Sequence, residues 1–264
     1  MSVVMADLLA DLRAESDDLD ALLAPLPADA WELPTPAAGW AVRDQVSHLA
    51  AFDEVTARQA GDAAAFRAEV AELTALGDDF TEHVARSHRG RTPDDLRAWF
   101  RAARAHMIDV FAGVDPAAML PWFGPPMSAA SSMTARLMET WAHGQDVADA
   151  VGVLRVPTAR LRHVAHLGVA TRGFALGSRG LAAVDPVHVA LSAPDGSTWR
   201  WGPPDAPDAV RGPALDFCLL VTRRRHRDDL ALEVTGPAAR AWVDVAQAFA
   251  GPPGADPVPR RAVS

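Results

Sequence analysis

GWAVRDQVSHLAAFDE (residues 39–54) is the stretch from which the rest of the chain can be read. After Gly39, the residues Val42, Val46, Leu49, Phe52 and Val55 recur at helical spacing, so the segment is an amphipathic helix that turns one apolar stripe toward a core. His48 falls beside Phe52 and Val55 on the helical wheel, at or near the inward edge. Much later, METWAHGQDVADA (138–150) places Glu139 and His143 four residues apart. Four helical residues turn the chain about 40° beyond one full turn and rise about 6 Å, so the two side chains leave the same face. Helical bundles build interior ion sites from ligands on facing helices, and three protein ligands leave positions open for water or substrate. His48, Glu139 and His143 are therefore a candidate metal site of two imidazoles and one carboxylate, with Asp146 placed to support it from outside. The same residues also read as an ordinary i, i+4 helical pair beside a hydrogen-bonded core histidine, and the spacing alone leaves both readings open.

The flanking sequence supplies the other helices. Leu8, Leu9, Leu12, Leu19, Leu22 and Leu23 predict a first helix over about 5–24, closed by Pro25 and Pro27 and followed by a Pro-rich connection to residue 39. Residues 61–91 are polar and read as helix with loop. TPDD (92–95) is a helix start, with Thr92 as cap, proline at the first helical position and acids in the first turn, predicting a helix over 93–112. After DPAAMLPWFGPPMS (115–128), Ser128, Ser131 and Ser132 can cap a long helix reaching about 151 that bears Glu139 and His143. An additional helix over 157–176 completes this part. Gly173, Gly177 and Gly180 then loosen the chain, so a first domain is expected over 1–178. Beyond it, VHVALSA (187–193), a turn at Pro194–Asp195–Gly196 and STWRWG (197–202) read as a β-hairpin. Residues 212–223 read as helix, LALEV (230–234) as strand and 237–250 as helix, giving a small α+β unit over 179–250. The tail 251–264 is rich in Pro and Gly and is expected to be disordered.

Composition narrows the function. A chain of 264 residues with formal charge −9 lacks the basic surface that binding phosphate backbones needs, so small molecules rather than nucleic acids are the expected partners. The single cysteine, Cys218, sits in the apolar run ALDFCLLV (214–221), which excludes an intramolecular disulfide and predicts a buried, inert thiol in a reducing compartment. No signal-like or membrane-length apolar stretch is visible, and a cytoplasmic protein is expected. All 25 basic residues are arginine and tyrosine is absent, which removes lysine Schiff bases and tyrosine acids from consideration.

Trp40, Arg43, Asp44, His48 and Leu49 fit the pattern GW-x-x-x-D-x-x-x-HL, and ETWAHGQD (139–146) supplies Glu139, His143 and Asp146. In these two motifs the chain resembles the mycothiol-dependent maleylpyruvate isomerase branch of the DinB-like superfamily. The resemblance implies a mainly α protein: a DinB-like four-helix bundle with an extra helix, followed by a small α+β domain of the sterol-carrier-like kind. It further implies that His48, Glu139 and His143 bind a divalent ion, usually zinc, that mycothiol is a cosubstrate in isomerisation or S-transfer, and that the second domain contributes a functional arginine. Arg223, Arg224 and Arg225 in VTRRRHRDD (221–229) are candidates for it, since guanidinium groups suit a substrate carboxylate; cations at a helix end also complement its dipole.

The expected function is thus a divalent-metal enzyme acting with a low-molecular-weight thiol on a small electrophile. The donor set also accepts nickel, iron(II) or manganese. Two alternatives share the site: thiol-independent hydrolysis or rearrangement assisted by the metal, and a non-catalytic metal- or ligand-binding protein.

Overall fold

A computed structural model describes residues 4–77, 79–183, 185–249, 251 and 256–259. The chain divides into two compact units, Met1–Arg155 and Val156–Ser264.

In the first unit, α1 (Met5–Leu23), α2 (Val42–Gly61), α5 (Pro93–Ala112) and α6 (Ala129–Ala150) are the long helices. α2 packs on α5 and α6, and α1 packs on the same two, which closes a four-helix bundle. Its core joins Leu19, Leu23, Trp31, Val42, Val46, Leu49, Leu96, Phe100 and Val147. The polar segment 61–91 resolves into two short helices, α3 (Ala63–Thr74) and α4 (Phe80–Ser87), both packed on α2. A two-stranded ribbon, β1 (Met119–Leu120) with β2 (Met127–Ser128), leads into α6.

The helix starts follow local chemistry. Thr92 accepts a hydrogen bond from the Asp95 backbone N–H at 3.2 Å with Pro93 behind it, and Ser128 accepts from the Ser131 N–H at 3.1 Å. Asp44 does the corresponding work for α2, accepting from the Ala41 N–H at 2.8 Å while Arg89 grips its two oxygens at 2.9 and 2.7 Å. The aspartate of the GW-x-x-x-D-x-x-x-HL pattern therefore fixes where α2 begins, and so where His48 stands.

The second unit opens with α7 (Leu161–Ala170) and α8 (Arg172–Gly177). Its sheet has the order β4-β3-β5-β6, built from β3 (Val187–Ser192), β4 (Thr198–Trp201), β5 (Asp208–Pro213) and β6 (Glu233–Thr235). α9 (Ala214–Val221) and α10 (Pro237–Val243) complete it. β3 and β4 form the expected hairpin, while β3 and β5 run parallel.

Four expectations need correction. The extra helix divides into α7 and α8, and it belongs to the second unit: Gly168 lies under the Val221 side chain, Cys218 Sγ bonds the Leu161 carbonyl at 3.4 Å and Thr171 Oγ1 the Gln247 carbonyl at 3.0 Å. The division thus falls after Arg155 rather than after residue 178, because the apolar face of α7 is covered by α9. β5 has no counterpart in the sequence reading, since DAVRGP neither alternates nor runs apolar. The final strand is Glu233–Thr235 rather than 230–234, and α10 ends at Val243 rather than near 250. Of the tail expected to be disordered, residues 252–255 and 260–264 lie outside the described residues. No helix among the described residues is long and apolar enough to cross a membrane.

Candidate metal centre

α2 and α6 bring the three predicted ligands together. His48 projects from α2, Glu139 and His143 from α6, and one ligand atom from each lies within 4.8 Å of the others. Both imidazoles address the same carboxylate oxygen: His143 Nε2 is 2.9 Å and His48 Nε2 3.6 Å from Glu139 Oε2. The two imidazole centroids are 4.5 Å apart.

The back of His143 is held by a residue the sequence reading did not nominate. Gln45 Oε1 lies against His143 Nδ1, and Gln45 Nε2 donates to Thr35 Oγ1 at 2.8 Å, which in turn donates to the Trp40 carbonyl at 2.9 Å. Because the Gln45 amide nitrogen is engaged elsewhere, its oxygen is the atom offered to His143, and Nδ1 must carry a hydrogen to use it. A neutral His143 then keeps its lone pair on Nε2, facing an anionic oxygen 2.9 Å away. Two acceptors at that separation need a positive charge between or on them, supplied by a second proton or by a cation. Gln45 is one helical turn before His48 on the same face of α2, a spacing that could have revealed it. Asp146, expected to support the site from outside, is buried on α6 one turn beyond His143.

The electrostatics suit a cation. Burial by itself raises the Glu139 pKa, but the imidazoles of His143 and His48 outweigh it and hold the carboxyl well below its usual range. Burial lowers the His48 pKa against the opposing pull of Glu139, favouring neutral imidazole. An ionised carboxylate and a neutral imidazole are the protonation states that metal ligation uses. His48 Nδ1, by contrast, is buried with no hydrogen-bond partner among the described residues.

Aromatic rings border the triad. Trp40 stacks on His143 with centroids 5.9 Å apart and meets His48 edge-on at 5.3 Å. Gly39, at φ +80°, makes the backbone turn that delivers Trp40, which explains the GW pair of the motif. On the other side, Phe52 lies 4.6 Å from the His48 ring. Below the site, Asp53 is fully buried and accepts from Arg104 Nε at 2.7 Å and from Arg136 at 3.0 and 2.8 Å; Arg136 also donates to the Leu49 carbonyl at 3.1 Å.

Arg223, Arg224 and Arg225 lie in the second unit, where they terminate α9. Arg223 adopts φ 59°, and the N–H groups of Arg223 and Arg224 return to the carbonyls of Leu220 and Leu219, both at 2.9 Å. The Arg223 guanidinium pairs with Asp256 at 2.6 Å, while those of Arg224 and Arg225 donate to the Thr222 and Arg224 carbonyls, both at 2.7 Å. Cys218 is fully buried and its thiol pKa is pushed up by that burial, so it is no nucleophile.

Comparison with known proteins agrees with this architecture. Residues 183–233 match a family described as wyosine base formation. An uncharacterised protein of Mycobacterium tuberculosis, in strains CDC 1551 / Oshkosh and ATCC 25618 / H37Rv, is 48% identical over 247 residues, covering 93% of this chain and 96% of the relative. Two crystal structures, of a mycothiol-dependent maleylpyruvate isomerase and of a single-site mutant of it, superpose with TM-scores of 0.60 and 0.61 at 14% identity, covering 88% of this chain and 93% of theirs. At that identity the likeness is one of fold. Residues 12–148, just over half the chain and the whole of the candidate metal centre, match the family described as the mycothiol maleylpyruvate isomerase N-terminal domain, and the chain belongs to that family.

Proposed function

We propose that this protein is a divalent-metal-dependent enzyme that uses a low-molecular-weight thiol, mycothiol, for isomerisation or S-transfer on a small electrophilic substrate. The observation that carries the reading is the convergence of His48 Nε2, His143 Nε2 and Glu139 Oε2 on one point, with His143 oriented from behind by Gln45. Family membership supports the thiol. The donor set favours zinc and also accepts nickel, iron(II) or manganese.

A divalent ion held by these residues supplies positive charge that favours the thiolate over the thiol. The chain's own contribution is to keep Glu139 ionised and His48 neutral, to fix the tautomer of His143 and to border the site with Trp40 and Phe52. In the reaction, the thiol gives its proton to solvent and its sulfur bonds the β-carbon of a cis alkene conjugated to a carbonyl. The π pair moves onto the carbonyl oxygen. Rotation about the resulting single bond and expulsion of the thiolate restore the alkene as the trans isomer, whereas protonation of the α-carbon retains the sulfur and completes S-transfer.

The test is turnover of a cis-enone by zinc-loaded protein with and without mycothiol. The reading requires activity that depends on both thiol and metal and falls by several orders of magnitude in Glu139→Gln. Metal-dependent activity without thiol would replace it with hydrolysis or rearrangement, and stoichiometric ligand binding without turnover would make the protein a binding module.

A further inference from the structure

From Phe52 outward, the border of the site is a continuous run of aromatic rings. Phe52 lies 6.2 Å from both Phe80 and Phe123, and those two rings stack on one another at 5.4 Å with an interplanar angle of 11°. Trp122 abuts Phe123 edge-on at 5.2 Å. Phe52 is buried, but Phe80, Trp122 and Phe123 are only half-buried. They come from the first residue of α4 and from the irregular segment between β1 and β2; on their inner side Trp122 and Phe123 pack on the buried ring of Phe66, 6.4 and 6.1 Å away, and part of each ring stays open to solvent. Half-exposed aromatic surface gathered in one patch is costly to leave in water and marks a place where apolar ligand surface is covered.

The charges near this border are already committed. Glu139 belongs to the triad, while Arg136 and Asp53 pair with each other at 2.8 Å, with side chains 4% and 0% exposed. Arg58 and Arg91, which line a cavity with Phe52, are engaged as well: Arg58 pairs with Glu69 at 2.6 Å, and the Arg91 guanidinium lies 4.4 Å over the Trp99 ring.

We propose that Phe80 and Phe123, continuing from Phe52, form a specificity subsite that takes the aromatic or extended apolar body of the electrophile. This deepens the preceding reading and rests on it for the identity of the reacting centre. An unsaturated carbonyl whose reacting carbon sits at His48 then extends its substituent over Phe52 onto the Phe80–Phe123 pair. Substrates with a phenyl or long conjugated substituent are preferred over those of similar length ending in a carboxylate.

The test measures binding without turnover. Benzylacetone and levulinate are ketones of related length, one ending in a phenyl ring and the other in a carboxylate, and neither carries an alkene for a thiol to attack. Calorimetric titration of each into the full chain, with no thiol present, should show benzylacetone binding at least about tenfold tighter. Phe123→Ala and Phe80→Leu should each weaken benzylacetone by several-fold or more and leave levulinate unchanged, in protein whose circular dichroism matches wild type. Equal or tighter binding of levulinate, or benzylacetone affinity unaltered in both variants, overturns the subsite. Because no thiol chemistry is read, ring preference in a protein that never turns over an enone would sink the enzymatic reading and leave the subsite standing, while thiol-dependent turnover without ring preference would do the reverse.

Discussion

Gln45 Oε1 faces His143 Nδ1 between α2 and α6, and the opposite end of the same amide is tied to Thr35 Oγ1 at 2.8 Å. One side chain thereby links the entry to α2, the orientation of a proposed ligand and the backbone of Trp40. Outer hydrogen bonds of this kind typically account for about 10–100-fold in metal affinity. Gln45→Leu, which keeps the bulk and removes the acceptor, is expected to weaken zinc binding by that order in competition with a chromophoric chelator. Unchanged affinity would show that Gln45 does not orient a ligand.

Asp53 is the common acceptor of Arg104 and Arg136, and all three are buried. Removing one partner of such a cluster leaves uncompensated charge in a low-dielectric interior, a loss of about 3–5 kcal/mol. Asp53→Ala should lower the unfolding free energy by that amount in urea titrations. Because Arg136 also donates to the Leu49 carbonyl, next to His48, the variant should weaken metal binding as well.

The bundle was legible because its signals are local and redundant: leucines at helical spacing before Pro25, the Thr92–Pro93 cap and the Ser128 cap each mark a boundary without reference to the rest of the chain. The three candidate ligands were legible because helical geometry alone puts Glu139 and His143 on one face. Gln45 shares the face of His48 one turn earlier, a legible signal left unused, whereas Phe80 and Phe123 were not legible, since their importance comes from contacts between distant segments. The second unit was harder for the same reason. β5 is recognisable by its pairing, parallel with β3 and antiparallel with β6, and the true place of α7 is set by Val221, far along the chain, closing over Gly168.

That last contact makes its own prediction. A Cβ at residue 168 would stand 2.7 Å from Val221 Cγ2 and 2.9 Å from Cγ1. Overpacking of this kind costs about 1–3 kcal/mol. Gly168→Ala should destabilise the protein by that amount, and adding Val221→Ala should recover part of the loss. An additive double variant would contradict the contact.

Cys218 should be inert in the native state. Burial pushes its pKa above the ordinary value of 9.0, so the folded thiol stays protonated where an unfolded one ionises. The fold therefore binds more protons than the unfolded chain at alkaline pH. The resulting stability is present below about pH 9 and is lost as pH rises beyond it. At pH 8 a disulfide reagent should leave the native protein unmodified for hours and titrate one thiol per chain in guanidinium. Rapid native modification would contradict the burial.

The most direct test of the account is the metal content of the purified, untagged protein after gentle desalting, beside His48→Ala and Glu139→Gln. The account predicts close to one divalent ion per wild-type chain and its loss in both variants without loss of helical content. A wild-type protein that carries no metal and takes up none when offered zinc, nickel, manganese or iron(II) would contradict it, and the convergence of His48, Glu139 and His143 would then be a feature of the bundle's interior alone.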